Sequence, residues 1–233
     1  MKRTNHWVLF YLTIIASVIL LAQYGSNAVT VLSENIPVGQ MHCIVLDAGH
    51  GGVDGGAVSY AGIPESRYNL EITLRLNDLF HLIGYPTKMI RTDDISVYTK
   101  GDTIAQKKVS DLKERVQITN VTENALLISI HQNNFEDPNY KGAQVFYSKT
   151  PGSERLAEQL QDTFKKTINL GSNRDIKQGS GIYLMEHINC PGILVECGFL
   201  SNPQEEASLR NSEYQKKICC VIASTVSGFL SNT

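Results

Sequence analysis

Three ionisable side chains stand at the ends of apolar runs or in the loops that follow them: His50, His131 and Glu196. His50 stands in C-I-V-L-D-A-G-H-G-G-V-D-G-G, His131 follows A-L-L-I-S-I, and Glu196 follows Ile193-Leu194-Val195. A fourth, Glu65, comes just after Pro64, where a helical pattern begins. Two imidazoles and one carboxylate with an open fourth position make a hydrolytic zinc site, in which zinc lowers the pKa of water to about 7 and polarises a carbonyl. A second carboxylate takes the water's proton and returns it to the leaving nitrogen. Spacing alone leaves open which carboxylate binds metal and which is the base, although a strand end suits a firmly placed base. Each residue also has an ordinary reading. A lone histidine is more often structural, and Glu65 at a helix start complements the helix dipole. Asp47 and Asp54 flank His50 either as partners that fix its tautomer or, more simply, as turn residues.

The elements that must carry these residues alternate along the chain. Residues 43–46 are consecutively apolar and rich in β-branched side chains, which predicts a strand buried on both faces. Glycines at 49, 51, 52, 55 and 56 then let the backbone turn tightly and approach another group. Ile72, Leu76, Leu79, Phe80 and Ile83 share one face of a helix that opens at Pro64 and stops at Gly84. Residues 87–90 read as a strand and 95–109 as a polar surface loop. Ser110 is the expected N-cap of a helix reaching Asn120, with Leu112, Val116 and Thr119 on one side. Strands are expected at 125–130, 143–148, 181–185 and 193–195, and helices at 153–168, 204–211 and 213–230. This order predicts an α/β fold of three layers, a mostly parallel central sheet with helices on both faces. In such sheets ligands bind beyond the carboxyl ends of the strands, where all three strand-end residues stand.

Of the 233 residues, 42% are apolar and 19% charged, with a formal net charge of −2, ordinary for a globular chain. Nothing points to nucleic acid. The pairs Lys107-Lys108, Lys165-Lys166 and Lys216-Lys217 read as solvated helix faces. Residues 1–28 join Lys2 and Arg3 to an apolar run from Trp7 to Ala22 and then Ser26-Asn27-Ala28. That is the pattern of a signal peptide cleaved after Ala28 or of an uncleaved membrane anchor, and either one exports the remainder. Residues 29–41 form a lead-in, and 42–233 the catalytic domain. The five cysteines have no framework spacing and read as buried free thiols. Without a C-x-x-C pair they make no zinc site. The glycine loop is not a dinucleotide fingerprint, because Asp54 occupies the third glycine position and the helix waits until Pro64.

G-H-G-G-V-D-G-G-A, the helix-opening Glu65, I-S-I-H-Q-N-N and I-L-V-E-C-G-F-L-S-N-P resemble the zinc-dependent N-acetylmuramoyl-L-alanine amidases of the Amidase_3 family. The motifs keep the family's order over about residues 43–229. The resemblance implies His50, Glu65 and His131 as zinc ligands and Glu196 as the catalytic carboxylate. It implies peptidoglycan as substrate, cut at the amide between the lactyl group of N-acetylmuramic acid and L-alanine. Arg91-Thr92-Asp93 and Leu112, Arg115 and Asn120 also look like family positions, with structural roles. The nearest resemblance within the family is to the spore-cortex type, on the N-terminal membrane segment, the bare catalytic domain and Gln132-Asn133. That type implies action outside the membrane, at the forespore envelope, in forming muramic-δ-lactam. Several family members depend on an activator protein, and a bare domain suits one. Gln132 replaces a common alanine, and the basic residue many members carry near Glu186-His187 is missing; both bear on saccharide contacts. No insertion between Asn134 and Ala143 is long enough to plug the site. Two other classes compete. A cysteine hydrolase pairing Cys197 with His131 lacks a helix N-terminus to lower the thiol pKa. A catalytically silent wall-binding or scaffolding protein on the same fold would have no need of all four polar residues.

Overall fold

The computed structural model describes residues 42–232; the signal or anchor segment and the lead-in lie outside them. In chain order the elements are β1 (Cys43–Ala48), α1 (Glu65–Leu82), β2 (Thr87–Met89), α2 (Ile104–Asn120), β3 (Ala125–Asn133) and β4 (Gln144–Tyr147). There follow α3 (Ser153–Thr167), β5 (Lys177–Gln178), α4 (Tyr183–His187), β6 (Gly192–Phe199), α5 (Pro203–Leu209) and α6 (Ser212–Leu230). The sheet runs in the order β2-β1-β3-β6-β4-β5. Its first four strands are parallel, β4 is antiparallel to β6, and β5 follows β4. Strand length peaks in the middle, with nine residues in β3 and eight in β6, and falls to three in β2 and two in β5.

Successive strand residues point to opposite faces, and the core divides accordingly. Ile44, Leu46, Leu126, Ile128, Ile130, Ile193 and Val195 pack under Ile72, Leu76 and Phe80 of α1, Leu156 and Phe164 of α3 and Ile222 of α6. Val45, Leu127 and Leu194 turn the other way, toward Leu184, Met185 and Ile188, with Val116 of α2 against them. This is the expected three-layer α/β architecture. Helices cover both faces, so the central strands read as unbroken apolar runs rather than alternating ones. No helix among the described residues is long and apolar enough to cross a membrane.

Several boundaries differ from the expectations. The central strands run further, to Ala48, Asn133 and Phe199, so His131 and Glu196 lie inside strands rather than after them. Pro64 is the cap and Glu65 the first helical residue of α1. Helix α2 begins six residues before Ser110, inside the expected loop. Thr103 caps it, accepting from Gln106 N at 3.3 Å while Gln106 Oε1 accepts from Thr103 N at 3.2 Å. Its buried stripe is Ser110, Arg115 and Thr119, whereas Leu112 is 37% exposed. Apolar periodicity cannot detect a stripe of that kind. Residues 181–185 are not a strand. They lead into the short helix α4, where Leu184 and Met185 join the second cluster, and such a brief apolar run fits helix or strand equally. All five cysteines are free; Cys190, Cys197 and Cys219 are buried as expected, but Cys43 is half-buried and Cys220 exposed.

Candidate metal centre

From β1 the chain passes through α1 to β2 on one side, then returns through α2 to β3 on the other. The reversal point, beyond the carboxyl ends of β1 and β3, is where α/β sheets bind ligands. His50 lies there with φ 60, one of two described non-glycine residues at positive φ. An L-residue in that region costs about 1–2 kcal/mol, so other contacts must hold the loop. Two buried arginines supply them. Arg115 donates from Nη2 to His50 O (2.7 Å) and from Nη1 to Ala48 O (2.9 Å). Arg91 donates from Nε to Ala48 O (2.8 Å) and from Nη2 to Gly49 O (3.0 Å) and Ser66 O (2.8 Å). Arg115 is in turn ion-paired with Asp47 and Asp111, and Ser129 Oγ donates to Asp47 at 2.6 Å. Burial works against the Asp47 charge, but Arg115 and Ser129 keep its carboxyl below the usual range. Arg91 and Arg115 are thus structural, and their task is to hold the backbone that displays His50.

Glu65 begins α1 at the positive end of the helix and is 4% exposed. Its Oε2 lies 3.2 Å from His50 Nε2 and its Oε1 lies 3.0 Å from His131 Nδ1. Ala57 N and Gln132 N each donate to it at 3.1 Å, and Asn69 Nδ2 at 3.2 Å. Burial opposes ionisation, yet the two imidazoles hold the Glu65 carboxyl far below the ordinary carboxylate range. The other ring nitrogen of His50, Nδ1, lies 3.1 Å from Asp54 Oδ2, and Asp54 is itself paired with Lys108 Nζ at 2.8 Å. Burial disfavours the imidazolium, but Glu65 and Asp54 together bring the His50 pKa to about 8.

Donor atoms of His50, Glu65 and His131 all lie within 4.8 Å of one another. Ligands about 2.0–2.1 Å from a tetrahedral zinc stand roughly 3.3 Å apart, close to the two carboxylate–imidazole separations of 3.2 and 3.0 Å. Two glycines keep the cradle open. A Cβ on Gly49 would sit 2.2 Å from His131 Nε2, and one on Gly56 would sit 2.6 Å from Glu65 Oε2. Donor chemistry and space therefore both fit zinc.

Glu196 pairs in register with His131 on the neighbouring strand, so the two side chains share a sheet face. Its Oε2 is buried without a hydrogen-bond partner. Burial, reinforced by the nearby Glu65 charge, raises its pKa to about 7, against the pull of His131, His50 and Arg174. That value suits a carboxylate that both takes and returns a proton near neutrality. Cys197, one residue on, points to the opposite face, where it is 1% exposed in the α6 core. Burial pushes its thiol well above the usual value. The cysteine-hydrolase reading fails on both counts.

A family model described as N-acetylmuramoyl-L-alanine amidase matches residues 44–227. The chain belongs to that amidase family. It is 34% identical over 224 residues to the germination-specific N-acetylmuramoyl-L-alanine amidase of Bacillus subtilis (strain 168), covering 95% of this chain and 93% of that protein. The solved CwlD amidase from Clostridioides difficile, in complex with the GerS lipoprotein, superposes with TM-score 0.79 at 38% identity, over 82% of this chain and all of the other. An N-acetylmuramoyl-L-alanine amidase from Clostridium difficile 630 gives TM-score 0.73 at 28% identity, over 82% of this chain and 98% of that one.

In this amidase fold the four sequence-derived residues converge from a loop, a helix start and two strands. Asp54 is more than a turn residue, because it faces the His50 ring, while Asp47 serves Arg115 and Ser129 instead. Lys108 is exposed on the solvated helix face expected of it, and from there its Nζ reaches Asp54. Asn69 was missed, though its i+4 spacing from Glu65 puts both on one face of α1.

Proposed function

We propose that this chain is a zinc-dependent amidase of peptidoglycan, in which His50, Glu65 and His131 hold the metal and Glu196 is the general base and acid. The observation that carries this reading is the meeting of three ligand-type side chains with a carboxylate one strand away whose Oε2 is buried without a partner. Bound zinc supplies Lewis acidity toward the scissile carbonyl and lowers the pKa of water. Glu196 takes the proton of the attacking water and delivers it to the L-alanine nitrogen as the bond to the lactyl carbonyl breaks. Asp54 and Lys108 orient the His50 ring, and Glu65, fixed by Asn69 and two backbone N–H groups, sets the spacing of the two imidazoles. Residues 1–28 act as signal or anchor and carry the catalytic domain, residues 42–233, outside the cytoplasmic membrane to the forespore envelope. The germination-specific relative supports a role in cortex maturation, where removal of the stem peptide precedes muramic-δ-lactam formation. The lipoprotein complex of the similar clostridial amidase supports an activator protein for this chain as well.

Mass analysis of peptidoglycan incubated with the protein, with zinc and with chelator, tests the reading. Free peptides beginning at L-alanine are expected only with zinc. Cleavage elsewhere, or equal cleavage under chelation, would overturn it. A silent scaffold would release nothing under either condition.

A further inference from the structure

Next to Glu196 across the β4–β6 pair stands Gln144. Its Oε1 accepts from Arg174 Nη2 at 2.6 Å, and its Nε2 donates to Asp175 O at 2.8 Å. The Arg174 guanidinium carbon lies 4.7 Å from the Phe199 ring centroid. The guanidinium is therefore held by a ring on β6 and an amide on β4. It makes no ion pair among the described residues, and its Nε is buried without a hydrogen-bond partner. Burial pulls its pKa below the ordinary arginine value, against the charges of Glu205 and Glu196. A half-exposed guanidinium that makes no ion pair favours an anion. Glu205 supports the Arg174 charge from nearby but forms no ion pair with it among the described residues, its two oxygens accepting from Gly142 N and Phe199 N at 2.8 Å.

Arg174 also lines a groove of about 700 Å³, together with Lys141, Gln204, Glu205, Ser208 and Tyr214. Neighbouring strands are about 4.8 Å apart, so an arginine bonded to Gln144 stands within roughly 10 Å of the Glu196 carboxylate. In a stem peptide the residue after L-alanine carries a free α-carboxylate. Five bonds of extended chain separate it from the scissile nitrogen, about 6–7 Å. With that nitrogen at Glu196, the carboxylate comes within reach of Arg174.

We propose that Arg174 anchors the first free carboxylate of the stem peptide, and that the groove beyond it takes the remainder of the peptide. The proposal rests on the amidase reading above. It makes Arg174 a specificity residue, apart from the metal ligands and the base.

The test compares two muramoyl peptides that differ only in whether D-glutamate carries its α-carboxylate or the carboxamide. The zinc-loaded wild type should prefer the carboxylate by about tenfold in kcat/KM, the low end for a charge-assisted contact on a half-exposed arginine, and chiefly through KM. Arg174→Gln should abolish the preference and leave zinc content and kcat near wild type. Arg174→Lys should keep part of it. Binding of L-Ala-γ-D-Glu and its carboxamide, read by calorimetry, should follow the same order and weaken in high salt. Equal use of both substrates by the wild type, or a preference that survives Arg174→Gln, overturns the anchor. If Arg174→Gln does not fold, the wild-type preference and its decline with salt decide the matter. Cleavage of neither substrate by the zinc-loaded wild type, with the proposed activator supplied, is a separate outcome, and it overturns the amidase reading itself.

Discussion

Alanine in place of Gly56 tests the metal centre most directly, because a control for backbone strain lies nearby. Gly56 has φ 69 and Gly62 has φ 78, so Gly56→Ala and Gly62→Ala impose a similar left-handed penalty, about 1–2 kcal/mol each. They differ in what the added Cβ meets. At Gly62 nothing lies within 4 Å, whereas at Gly56 it would stand 2.6 Å from Glu65 Oε2 and 2.7 Å from His50 Cδ2. Ordinary contact needs about 3.5 Å, so carboxylate and ring must move apart by most of an ångström. Metal–ligand distances tolerate only about 0.2 Å. Loss of even an outer partner typically costs 10–100-fold in metal affinity, so displacing a ligand should cost at least about 100-fold, or about 2.8 kcal/mol. Competition against a chromogenic chelator measures the affinity, and urea unfolding of the metal-free proteins measures the shared strain. Both variants should lose similar stability, but only Gly56→Ala should lose zinc. Zinc affinities within tenfold of each other would refute the assignment of Glu65 and His50 as ligands.

Glu196→Gln should lower hydrolysis by about 10²–10⁴-fold while zinc content holds. Because burial raises Glu196 to about 7 and only the ionised form accepts a proton, the wild-type rate should fall as pH drops through that region, which a rate–pH profile reads directly. Asp47→Ala leaves Arg115 buried without its main partner, at a cost of about 3–5 kcal/mol in urea unfolding. The Asp47 carboxyl is held below its unfolded value, so its contribution is full above about pH 4 and is lost as pH falls through the lower folded value; the gap between wild type and variant should narrow in acid. Thr103→Ala removes the capping box of α2 and should lower the urea midpoint by the equivalent of about 1 kcal/mol, with bound zinc unchanged.

The layers and the polar positions proposed for the site were legible because they coincide with what apolar patterning reports. Buried central strands are unbroken apolar runs, and a polar residue that interrupts one is conspicuous, as His131 and Glu196 are. Their proposed division into ligands and base rests on the family resemblance, not on spacing. What escaped was held by polar pairing. Arg115, Ser110 and Thr119 form the inner stripe of α2 without apolar periodicity, so the first two turns of that helix passed for a loop. Lys108 faces solvent as expected, but its pairing with Asp54 was hidden because that residue lies 54 positions away in sequence. Residues 181–185 were misread as a strand for a different reason, since so short an apolar run carries too few turns to reveal its period.

The taper of the sheet bears on how this protein can meet others. A long, flat edge strand offers unpaired N–H and C=O groups to any passing chain. Here the edges are β2, with three residues, and β5, with two, so each supports only a few intermolecular ladder bonds. Strand addition is therefore a poor route both to self-association and to capture of a partner peptide. Any stable complex of this domain must be built from side chains on its helical faces and loops, leaving the sheet intact.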